Sequence, residues 1–255
     1  MSSTSGMRVV LVICRRELIR FARQPARLAA AVGTPALLWL FMAAGFAQSL
    51  QPERLTDGGY ATFLLPGIMA LVAVFAAVFS SISIIEERQE GWLRAVLVSP
   101  APRWSIALGK TIGGALVAWV QAAALLPVVL LLDVTMSAVD VLLALIALGV
   151  MSFAMTALGV VFAWRSASSA AFHAVINLLF LPMWLLSGAF FPAEGAARWL
   201  SVIMRINPLT WCVESVRGPI TGDDSLAWLG ASIAFASVML ALATLIVSTR
   251  SKRDA

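Results

Sequence analysis

Six stretches of about 20 residues or more, apolar all round and free of Asp, Glu, Lys and Arg, constrain this chain more than any other feature. They cover residues 28–48, 61–85, 111–132, 141–164, 172–192 and 226–248. A bilayer core about 30 Å thick is crossed by about 20 helical residues, so each stretch predicts a transmembrane helix. Barrel strands would instead alternate in segments of about ten residues. With 61% apolar and 12% charged residues and a mean hydropathy of +0.94, the chain lacks the polar surface of a water-soluble globule. The formal charge of +5 therefore indicates topology rather than a nucleic-acid partner. The predicted fold class is an all-α polytopic membrane protein forming a single domain over 1–255.

The basic residues orient it. Of 18 Lys and Arg, all but Arg54, Arg198, Arg205 and Arg217 fall on the side of the two termini, which the positive-inside rule makes cytoplasmic. The expected location is the plasma (inner) membrane, multi-pass. Ahead of the first span, residues 7–27 form an amphipathic pattern, with Arg16, Arg20, Arg23 and Arg27 on one helical face and Val10, Cys14, Leu18 and Phe21 on another. This predicts an interfacial helix among anionic head groups. The Arg15-Arg16 pair resembles an export signal, but five further spans follow, so a cleaved leader is a poor account. One histidine and two cysteines are too few for a metal centre or a disulfide framework.

The connection at 86–102 reads as a short amphipathic helix. Glu86, Glu87, Arg88 and Glu90 open it, Trp92, Leu93, Val96 and Leu97 form a stripe, and Pro100 and Pro102 stop it. Such a stripe suits either lipid or a docked cytoplasmic partner. Gly109-Lys110-Thr111 is not a phosphate loop, because Trp104 stands where the motif needs glycine. Gly109 and Gly113 instead suit close helix packing. The external segment 193–225 predicts two short helices, re-entrant or interfacial. Trp199, Leu200, Ile203 and Met204 stripe the first; Asn207 caps the second, Pro208 starts it, Gly218-Pro219 ends it, and Glu214 and Arg217 pair at the surface. No charge lies near a span centre, which argues against ion-coupled transport.

Leu65-Pro66-Gly67, the 86–102 loop, Leu186 to Pro192 and Asn207-Pro208-Leu209-Thr210, in this order around six spans, resemble permease subunits of type 2 ATP-binding-cassette (ABC) exporters. The likeness is to the drug-exporter and nodulation-factor-exporter group. It implies a coupling helix between spans two and three that engages a separate ATPase through Glu86, Glu87, Arg88, Glu90, Gly91, Trp92, Leu93, Arg94, Val96 and Leu97. It also implies a pathway shared with a second permease, as homodimer or heterodimer. Spans two and five would line it, with Ser80, Ser83, Asn177 and Met183 facing the path and Pro66, Gly67, Pro182, Asn207 and Pro208 as a helix-bend or outer-gate motif. Such a chain is not an enzyme and binds no cofactor; ATP and Mg belong to two ATPase copies, and the substrate is amphipathic, drug-like or lipid- or glycan-like. The competing readings are a non-transporting scaffold and an intramembrane enzyme built on His173, the latter disfavoured because Leu185-Leu186 precede Ser187-Gly188.

Overall fold

The computed structural model describes residues 3–46, 59–93, 102–132, 134–193 and 196–250, all helix and connections with no strand among them. The helices are α1 (Ser3–Ala22), α2 (Pro25–Phe46), α3 (Gly59–Gln89), α4 (Arg103–Ala123), α5 (Ala138–Arg165), α6 (Ser169–Leu185), α7 (Arg198–Ile206), α8 (Pro208–Thr221) and α9 (Leu226–Arg250). Among the described residues, five helical segments, within α2, α3, α4 and its 3₁₀ extension, α5 and α9, are long and apolar enough to cross a membrane. The fifth predicted span is shorter. α6 has 17 residues, about 25 Å at 1.5 Å per residue, and ends at Leu185 rather than Pro192. Pro182 explains its irregular middle: proline cannot donate to the carbonyl four residues back and collides with it, and a π-helical turn over Ile176–Phe180 takes up the mismatch.

α3 is the axis of the bundle. Nearly four fifths of its most apolar window is buried (78%), against 11% for α2 and 22% for α9, and α2, α4, α5, α6 and α8 pack around it. That difference follows from composition only in part, because all three helices are comparably apolar; what covers α3 is its neighbours. α2 and α9 leave Leu37, Phe41, Val238 and Leu245 exposed, a surface suited to lipid. A capping box starts α5, with the Ser137 hydroxyl accepting from the Asp140 amide at 3.2 Å and the Asp140 carboxylate accepting from the Ser137 amide at 2.8 Å.

Several boundaries differ from the sequence expectation. α3 runs on through Glu86, Glu87 and Arg88 to Gln89, so these charges close a long span rather than open a short helix. The chain leaves it at Gly91, whose φ of +83° is the left-handed conformation that favours glycine. α4 begins at Arg103, eight residues before the apolar run, which puts Lys110 inside the helix. α8 does not stop at Gly218-Pro219 but continues to Thr221 and is closed by Gly222 at φ +78°. α1 is not held by lipid alone: Val10, Ile13 and Cys14 are buried, and a Cβ on Gly109 or Gly113 of α4 would come within 3.0 Å of Ile13 or Glu17. The small-residue patch thus meets α1, while Leu11 and Val12 on its other side stay exposed.

Candidate functional site

Two polar clusters stand at opposite ends of α3. The first gathers charge from three helices. Lys110 of α4 lies 2.5 Å from the Glu17 carboxylate of α1 and 2.6 Å from Glu87 Oε2 at the end of α3. Arg16 donates to Glu87 Oε1 at 2.7 Å, and Arg20 to Glu86 at 2.9 Å. Glu87 and Lys110 have side chains only 1% and 3% exposed. A buried charge without a partner is costly, so their mutual pairing is a condition for α1, α3 and α4 meeting here at all. Arg16 also stacks over the Trp92 ring, its guanidinium carbon 3.8 Å from the centroid. Arg88 turns the other way, donating to the carbonyls of Ala163 at 2.9 Å and Ser166 at 3.1 Å, and so caps the negative end of α5.

The cluster settles where the predicted coupling residues lie. Glu86, Glu87 and Arg88 hold helices together, Glu90 is exposed, and Gly91 makes the turn. Trp92 is half-buried beneath Arg16, and Leu93 is buried within the chain. Leu93 is therefore part of the core of this chain. Arg94, Val96 and Leu97 lie outside the described residues.

The second cluster joins the motifs at the other end. A Cβ on Gly67 would lie 2.6 Å from the Cα, Cβ and O of Ala189, so only glycine permits this approach of α3 to the chain beyond α6. The Trp184 indole donates to the Gly67 carbonyl at 2.8 Å. Asn207 caps α8 as expected, accepting from the Leu209 amide at 3.0 Å, and its amide nitrogen donates to the Met183 carbonyl at 2.6 Å. Arg217 pairs with Glu214 and donates to the Gly188 carbonyl at 2.7 Å, with its guanidinium 4.1 Å from the Phe63 ring centroid. At 7% exposure Arg217 is a buried tie between α3, α8 and the turn after α6, not half of a surface pair. Gly67 and Asn207 are thus each tied to α6 or the chain just after it, through Trp184, Ala189 and Met183, whereas Pro182 and Pro208 stand in the first turns of their helical segments and Pro66 is buried in α3.

Beside the first cluster, a cleft of about 490 Å³ opens between α1, α2, α3, α4 and α6. Ser80 and Ser83 line it; Asn177 and Met183 do not. Asn177 is exposed on α6 and Met183 engages Asn207 through its carbonyl. His173 is exposed at the edge of the cleft. Sequence reasoning missed Glu17, Lys110 and Arg217, because each is charged and sits in a segment read as loop or interface. A signal did exist: Glu17 is the sole acidic residue before Glu53, set among arginines, and Lys110 lies between Gly109 and Gly113.

Comparison with known proteins agrees with this architecture. The chain is 26% identical over 212 residues to ycf38 of Cyanophora paradoxa, named as a transport permease, covering 82% of this chain and 72% of the relative. It is 25% identical over 168 residues to YbhR of Escherichia coli K12, named as a multidrug ABC transporter permease, covering 66% of this chain and 46% of the relative. The matched region is therefore under half of YbhR. The family model described as ABC-2 type transporter matches residues 8–220, from within α1 to the last turn of α8 and including both polar clusters, and the chain belongs to that family.

Proposed function

We propose that this chain is the transmembrane subunit of an ABC exporter, forming half of a translocation pathway with a second permease, identical or similar. Two copies of a separate ATPase subunit would bind ATP and Mg and supply the drive. Both termini face the cytoplasm of the inner membrane, α6 completes a six-helix transmembrane unit, and α7 and α8 form the outer helices. The substrate is amphipathic, and the name of the Escherichia coli relative favours the drug-like end of that class over glycans.

One observation carries this reading. Glu87 ends the most buried helix and is tied at 2.7 Å to α1 and at 2.6 Å to α4, a few residues before the segment that would meet the ATPase. A displacement applied near Trp92 is then delivered to three helices at once, since a packed, ion-paired junction moves as a body rather than deforming. Trp92→Asp tests it. The substitution removes the Arg16–Trp92 stacking and places a carboxylate where it competes with Glu87 for Arg16 and Lys110. We expect normal insertion with transport-coupled ATP hydrolysis reduced at least tenfold, measured on the complex purified in mild detergent and returned to liposomes. Wild-type coupling, or purification without any ATPase after crosslinking at position 92, would overturn the proposal.

A further inference from the structure

We propose that the cleft beside the charge cluster is a binding site for a zwitterionic, single-chain amphiphile held with its head at Arg20 and Glu86 and its apolar body against Phe75 and Phe79. The inference rests on the permease reading only for the use made of the bound molecule, not for binding itself. About 490 Å³ of space falls within the roughly 300–1,000 Å³ of small-molecule sites. Its walls change character along the length. At one end are Pro35 of α2 and Phe75 and Phe79 of α3; at the other are Arg20, Glu86 and Glu17.

The charges specify the head group. Arg20 bonds Glu86 at 2.9 Å and lies 3.8 Å from Glu87 Oε1, yet the Arg20 and Glu86 side chains are 40% and 42% exposed, so each presents further hydrogen-bonding capacity to the cleft. Glu17 lines the same end but is neutralised from behind by Lys110 at 2.5 Å. A purely anionic head would meet Glu86 and Glu17, and a purely cationic head would meet Arg20. A head carrying both signs satisfies Arg20 with its anion and Glu86 with its cation, exchanging one ion pair for two. Ser80, which also lines the cleft, supplies a hydroxyl between the head and the aromatic wall, whereas the Ser83 hydroxyl is taken up by the Ser80 carbonyl and Lys110. The position is suited to entry from the bilayer, because the α2 wall belongs to the least buried of the long helices.

The test is photolabelling of the full chain in nanodiscs with lysophosphatidylethanolamine bearing a diazirine in its acyl chain, mapped by mass spectrometry. Labelling is expected to concentrate between residues 71 and 86. Ala31→Trp, on the loosely packed α2 wall, should fill the cleft and reduce that labelling at least tenfold at an unchanged melting temperature. Arg20→Gln with Glu86→Gln should weaken competition by unlabelled lipid about tenfold while leaving the apolar wall intact. Equal labelling of Phe41 and Val238 on the outer faces, insensitive to Ala31→Trp, would mean bulk lipid contact only and overturn the site. Stronger competition by lysophosphatidate, or by a single-chain quaternary amine of equal chain length, would overturn the zwitterionic class. Site-specific labelling of a chain that purifies without any ATPase supports the site and counts against the permease proposal; ATP-driven transport with no labelling at the cleft overturns the site and leaves the permease proposal standing.

Discussion

Replacing Lys110 by Met is the sharpest probe of the three-helix junction. Lys110 stands between two carboxylates, 2.5 Å from Glu17 and 2.6 Å from Glu87. At an effective dielectric constant of about 20, each contact is a gross attraction of about 6 kcal/mol, offset by the several kcal/mol needed to desolvate each ion. Methionine fills the same volume but neutralises nothing. Glu87 retains Arg16 at 2.7 Å, whereas Glu17 is left buried and unpaired, a loss of about 3–5 kcal/mol for breaking one side of a buried pair. At about 1.4 kcal/mol per decade, α1 should detach from α4 at least a hundredfold more often. Hydrogen exchange of the α1 amides in nanodiscs reads this directly. Glu17→Leu added to Lys110→Met removes the orphaned charge and should recover at least half of the lost protection on a logarithmic scale. Protection within threefold of wild type for the single variant, or a double variant no better than the single, would refute the argument that charge pairing holds α1 in place.

Three other outcomes are expected. Gly67→Val drives a side chain into Ala189, whose Cα and O already stand 2.6 Å from the Cβ position, and should lower stability by about 1–3 kcal/mol; a melting temperature equal to wild type would disprove the close approach. Arg217→Lys keeps the charge but cannot span Glu214 and the Gly188 carbonyl together, so its melting temperature should fall nearly as far as that of Arg217→Met, and full rescue by lysine would contradict this. Burial and the neighbouring Glu17 carboxylate push the Cys14 thiol up from its ordinary range. Maleimide should therefore label it slowly at neutral pH, with the rate still climbing above pH 9, and Lys110→Met should accelerate the reaction by freeing α1.

Much of the architecture is determined by local sequence. Apolar length specifies a helix wherever lipid leaves backbone polar groups no other partner, and α5 and α9 follow their apolar runs closely. The Asn207 cap is equally local, since its side chain bonds the amide of Leu209 two residues on. What sequence alone could not decide is which charges go inside. An arginine, glutamate or lysine at the edge of an apolar run looks solvated until a partner from a distant segment faces it. Glu17 and Lys110 are separated by 93 positions, Arg16 and Glu87 by 71, and only the packing of α1 onto Gly109 and Gly113 brings them together. Lys110 inside α4, Glu87 at the close of α3 and Arg217 beneath the turn at Gly188 are tertiary outcomes for the same reason: the free energy of burying an ion depends on what surrounds it, and the surroundings come from the whole chain.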